Sequence, residues 1–196
     1  MQRLQFFLSE STWDAEQVND RRLELLRGHA ATAPHDGGVI VIDDSGDRKD
    51  GTATAHVGRQ WLGRYGKTDN GIVTVTTVWT DGRVHYPLHA TPYTPAYHFA
   101  HGRLDPAFRT KPQLAAALAA RAKESGFGCR AVVADCAYST SDGWYLALRE
   151  AHLPYVVALK PHRGTWARAD QPHTPIDAAH ALAWQDATHP GEMDAR

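Results

Sequence analysis

The sequence predicts an α/β fold built on a mixed sheet, in which an antiparallel meander of three strands is continued by parallel strands through crossover helices. Three observations carry that expectation. Residues 39–42 (VIVI) form an unbroken β-branched run, as a buried central strand does, and stop at Asp43-Asp44-Ser45-Gly46. Residues 72–80 and 83–90 are two β-rich runs joined by Asp81-Gly82, a strong two-residue hairpin signal. Beyond residue 110 the pattern alternates between helical and extended segments.

The elements follow in order. Residues 11–27 read as a helix: Ser11 with Asp14 has the spacing of a capping box, Val18, Leu23 and Leu26 supply apolar positions, and Gly28 is a stop. Residues 29–38, rich in small residues and glycine, read as a connector, so that residues 1–36 form an N-terminal helix and linker. The strand at 39–42 is expected to be covered on both faces. Residues 52–70 mix glycines with basic residues and carry no regular pattern. A helix over 110–125 is signalled by Pro112 at its start, Leu114 and Leu118 one turn apart, and Gly126 after it. A buried strand at 130–134 ends, like the first, on an acid, Asp135. A helix over 141–151 and a short apolar strand at 155–159 complete a core of residues 37–160. Residues 161–196, with several prolines and one helical stretch near 177–184, read as the start of an insertion or of a further segment.

Composition narrows the function classes. Hydrophobic residues are 42% and charged residues 22% of the 196, ordinary for a globular chain, so extended disorder is not expected. No apolar run is long enough to cross a bilayer and the first residues lack a signal-peptide pattern, so a cytoplasmic protein without a membrane partner is expected. A net charge of −1 means that any nucleic-acid contact must come from local patches. Cys129 and Cys136 are too few for a disulfide framework and lack zinc-ligand spacing. His85 and His89 on a strand lie about 13 Å apart, too far to share one ion. His98 and His101 converge only if locally helical.

Strand, strand, strand, helix, strand, helix, strand is the RNase H-like order, in which the first strand is central and lies beside the strand that ends at Asp135. Asp43 and Asp135 are then brought together. Two carboxylates at matching strand ends suit hard divalent ions, and two such ions can stabilise both the attacking and the leaving oxygen of a phosphodiester. Asp44 is an open alternative to Asp43, because neighbours on a strand face opposite ways. Either acid alone could equally cap a turn.

The ordered segments FLSESTWDAEQV, VIVIDDSGDRKDG, HVGRQWLGRYGKTDNG, FRTKPQLA, VVADCAYS and YVVALKP resemble insertion-sequence transposases of the DDE type, the group named for insertion sequence seven hundred and one. The resemblance spans nearly the whole chain. It implies Asp43 and Asp135 as catalytic and metal-binding acids, two Mg²⁺ (or Mn²⁺) ions, DNA as partner, and cleavage with strand transfer of an insertion sequence. A homodimer or a full-length transposase is a further expected partner. The family also carries an N-terminal DNA-binding part and a third acid, a glutamate on a downstream helix; neither is matched here, and Asp177, Asp186 and Glu192 do not fit the glutamate's motif. A transposase fragment, inactive alone, is therefore expected. The alternative is a non-catalytic remnant that binds DNA or the full-length protein; an aspartate-dependent phosphohydrolase fits less well, because those sites use aspartates two residues apart. Arg59, Gln60 and Lys67, set among glycines with Trp61 and Tyr65, are the expected DNA contacts on the resemblance.

Overall fold

The computed structural model describes residues 2–159, 166–168 and 171–173. Two units are distinguished, Met1–Ala158 and Leu159–Arg196. The first holds four helices and six strands among its described residues: α1 (Gln2–Glu10), α2 (Ala15–Gly28), β1 (Val39–Arg48), β2 (Gly58–Leu62), β3 (Lys67–Thr80), β4 (His85–Pro92), α3 (Lys111–Glu124), β5 (Ala131–Ala134), α4 (Asp142–Glu150) and β6 (Tyr155–Val157). In the second, β7 (Trp166–Arg168) pairs antiparallel with β8 (Gln171–His173). The helical stretch expected near 177–184, with Asp177, Asp186 and Glu192, lies outside the described residues.

The sheet is mixed, in the order β2-β3-β1-β5-β6 with β4 also on β3. β1 is antiparallel to β3 and parallel to β5, and β5 is parallel to β6. This is the RNase H-like arrangement, with β1 central and β5 beside it.

Several elements begin or end elsewhere than the sequence suggests. The helix expected over 11–27 starts later, with Asp14 rather than Ser11 capping α2 and its Oδ1 accepting from the Glu16 and Gln17 amides, and α1 is a separate helix ahead of it. β1 does not stop at Asp43 but pairs with β3 as far as Arg48, opposite Gly71. Cross-strand pairing overrides the turn preference of Asp-Asp-Ser-Gly here. The segment without a pattern contains β2, a 3-10 turn at Gly63–Tyr65 and the first residues of β3. The β3–β4 connection is a four-residue loop rather than a two-residue turn, with Thr80 opposite His85, Gly82 at φ 88° and Asp81 Oδ1 accepting from the amides of Arg83 and Val84. α3 starts as expected, with Thr110 and Gln113 forming a capping box and Pro112 in the first turn.

The strand at 39–42 is fully covered on one face only. Ile40 and Ile42 are buried while Val39 and Val41 are half-buried. The covered face of the sheet joins Val75, Trp79, Leu88 and Val132 to α3 through Ala115, Leu118, Ala119 and Ala122, and to α4 through Trp144 and Leu148. Gly38 is required by this core, because a Cβ there would run into the Trp79 indole.

His89 sits in β4 at 6% exposure with both ring nitrogens lacking a hydrogen-bond partner among the described residues. Burial lowers its pKa, Arg121 and Arg22 lower it further, and Glu16 and Asp20 oppose them. The unfolded chain therefore binds a proton before the folded one does, and stability falls as pH drops below about 6.5 towards the lower folded pKa. His89→Leu is expected to flatten that part of the stability profile, measured by urea unfolding between pH 7 and 5; an unchanged slope would show that His89 is not its source.

Candidate functional site

The site is created by a mismatch in strand length. β5 pairs with β1 only from Val39↔Ala131 to Ile42↔Ala134, whereas β1 continues to Arg48. The next residue on each strand is an acid. Asp43 and Asp135 therefore leave the ends of the same parallel ladder side by side, on strands about 4.8 Å apart. Asp43 is inside a strand, opposite Thr76 of β3; Asp135 opens the loop to α4.

Both carboxylates line one cleft of about 720 Å³ with Asp44, Asp47, Trp61, Arg64, Lys111 and Tyr138 among its walls. Asp43 Oδ1 accepts from the Asp44 amide at 2.8 Å, and Asp135 Oδ1 accepts from the Ala137 amide at 2.9 Å. Burial raises the Asp43 pKa, the Asp44 amide opposes that, and the Asp44 and Asp135 carboxylates raise it further. The basic residues of the cleft pair with its other two acids: Lys111 Nζ is 2.6 Å from Asp44 Oδ2, and Arg64 is 3.3 Å from Asp47. Among the described residues neither Asp43 nor Asp135 has an ion-pair partner. A pair of hard oxygen donors with uncompensated charge, open to solvent, fits a divalent cation completed by water and phosphate. No group of three or more His, Cys, Asp or Glu side chains that could hold a metal occurs among the described residues.

Tyr138 closes the floor of the cleft. It is 2% exposed, and its hydroxyl has no hydrogen-bond partner among the described residues. Burial, then the negative charges of Asp44, Asp43 and Asp135, push its pKa far up, so it stays a neutral donor at any ordinary pH. The sequence marks it only as an aromatic beyond Asp135. Lys111 falls within the FRTKPQLA segment, but nothing there links it to Asp44, 67 residues away.

The expected DNA contacts separate. Gln60 is a correction: alternation along β2 turns it inward to 7% exposure, where its Nε2 donates to the Gly71 carbonyl at 3.2 Å, so it is not available to a ligand. Arg59 is exposed and lines a shallow groove with Arg48, Lys49, Asp69 and Asn70. Lys67 is exposed and pairs with Asp69 at 2.9 Å, which holds the Asp69 carboxyl below its usual range. Arg64 and Trp61, on the same β2–β3 hairpin, reach the acid-lined cleft, whereas Arg59 and Lys67 do not line it. Among the described residues the histidines form no metal-holding cluster: His98 Nε2 lies 2.7 Å from the Val57 carbonyl, and His89 is buried.

No helix among the described residues is long and apolar enough to cross a membrane. The family model described as DDE superfamily endonuclease matches residues 1–186. A relative from Microchaete diplosiphon, described as a probable transposase for insertion sequence element IS701, is 37% identical over 160 residues. That match takes in 81% of this chain and 40% of the relative, so the chain spans well under half of its relative's length. No solved structure matches.

Proposed function

Because this chain belongs to the DDE superfamily endonuclease family, we propose that it carries the first two metal-binding acids of an insertion-sequence transposase, Asp43 and Asp135. The observation that carries this reading is the register: the only acids that directly follow the β1–β5 ladder are these two, and they meet in one cleft. Two Mg²⁺ or Mn²⁺ ions in the assembled site would polarise the scissile phosphate and activate the attacking oxygen. The chain's own part is to hold two carboxylates in register, to keep Tyr138 protonated beside them, and to place Arg64 and Trp61 at the cleft wall for a DNA strand.

In this reading the site rests on two carboxylates, Asp43 and Asp135, fewer than the cations of a strand-transfer site need. Residues 1–196 by themselves are accordingly inactive in transposition in this reading, while retaining weak affinity for Mn²⁺. Titrating the chain with Mn²⁺ and following water-proton relaxation tests the site. Asp43→Asn and Asp135→Asn should each remove the binding, and retention in both would reject it.

DNA contact is proposed for Arg59 and Lys67, whose exposure on neighbouring strands suits a phosphate backbone. Arg59→Ala and Lys67→Ala should each weaken DNA binding without regard to sequence, and each should reduce the slope of log affinity against log salt by about 0.9. Filter binding across a salt series reads both quantities. Gln60→Ala should leave the slope unchanged.

A further inference from the structure

Asp43 and Asp44 are adjacent acids in one cleft, yet they have opposite surroundings. Strand alternation puts Asp44 on the face of Ile40 and Ile42, the face that α3 covers, and Asp43 on the other. Lys111 is the first residue of α3, and its position is fixed by the Thr110–Gln113 capping box and by Pro112. From there its ammonium reaches Asp44 Oδ2 at 2.6 Å and lies 5.9 Å from the centre of the Tyr93 ring. Both members of the pair are about two-thirds or more covered, at 26% and 31% exposure, so their attraction is screened less than a surface pair's.

We propose that Asp44 is a positioning residue and not a cation ligand: by holding the Lys111 ammonium on the α3 side of the cleft, it keeps the Asp43–Asp135 pair free for a divalent ion. This rests on the reading that Asp43 and Asp135 form the cation site. Lys111 lines the same cleft as those two carboxylates, which have no cationic partner among the described residues. An ammonium released from Asp44 would face, in the same cleft, two carboxylates without a cationic partner among the described residues and would compete with the metal for them. The pair is thus a device for keeping a positive charge close to the site without letting it fill the site.

A double-mutant cycle on the full chain tests this, with Mn²⁺ affinity read by electron paramagnetic resonance and folding checked by thermal melting. Asp44→Asn should weaken Mn²⁺ binding about tenfold or more, because it frees Lys111 to compete. Lys111→Met alone should change affinity by less than about threefold, and Asp44→Asn with Lys111→Met should return to within about threefold of the natural chain, a strongly non-additive result. The double variant also removes both partly buried charges together, so that neither is left without its partner. A double variant as weak as Asp44→Asn alone would make Asp44 a ligand and overturn the proposal. So would a Lys111→Met gain as large as the Asp44→Asn loss, which would reduce the effect to additive charge. Asp43→Asn and Asp135→Asn serve as the separate arm. If those two leave binding intact, the cation-site reading itself fails; if they remove it while the cycle is additive, only the role of Asp44 fails.

Discussion

Replacing Asp135 by Asn in a transposition-competent protein that carries this core is expected to lower DNA strand cleavage by about a thousandfold or more, the upper scale for losing one preorganised electrostatic group at a reacting centre. The change keeps the shape of the side chain and the acceptor oxygen that takes the Ala137 amide at 2.9 Å, so the loop to α4 should hold its conformation. What it removes is the charge that faces Asp43 across the ladder. Cleavage of a labelled insertion-sequence end, measured beside DNA binding by the same protein, checks the expectation. Binding should stay within about threefold, since the proposed phosphate contacts at Arg59 and Lys67 lie outside the cleft. A parallel loss of binding and cleavage would instead indicate misfolding.

The second large effect is on stability. Trp79→Ala is expected to destabilise the fold by about 3–5 kcal/mol, the range for removing a large aromatic from a packed core. Trp79 is 1% exposed, stacks on Tyr86 with ring centres 5.6 Å apart, meets His35 edge-on at 5.4 Å, and donates from Nε1 to the Gly128 carbonyl at 2.8 Å. It therefore ties β3 to β4 and to the turn that precedes β5. Trp61→Ala, at a side chain 59% exposed, should cost less than about 0.5 kcal/mol. Denaturant midpoints of the two variants give the contrast directly. A loss below about 1 kcal/mol for Trp79→Ala would mean that this packing is not what holds the sheet.

Which features could be read from the residues follows from how local their causes are. α3 was legible because Pro112 at its start, Leu114 and Leu118 a turn apart and Gly126 beyond it are local signals that need no tertiary partner. The β1–β5 relationship was legible because two β-branched runs, each closed by an acid, demand the same parallel setting. β2 was not, since Gly58 to Leu62 is short, contains a charged and an amide residue, and becomes a strand only through pairing with Lys67 to Gly71. The extension of β1 through Ser45 and Gly46 was hidden for the same reason: those residues prefer turns, and ten consecutive pairings with β3 overrule them. Gln60 misled because residue type suggests an exposed contact while alternation on a strand decides the face. Lys111 and Asp44 could not be joined without knowing that the start of α3 comes beside the middle of β1.

The unequal lengths of β1 and β5 have a mechanical consequence. Asp43 is embedded in a ladder that continues five residues beyond it, so its backbone is held by strand pairing both before and after it. Asp135 stands one residue past the end of its ladder, held by a turn that can open locally. One arm of the site is anchored and the other is hinged. In the proposed site, adjustment of the distance between the two carboxylates to an arriving phosphate is expected on the Asp135 side, with Asp43 as the fixed reference.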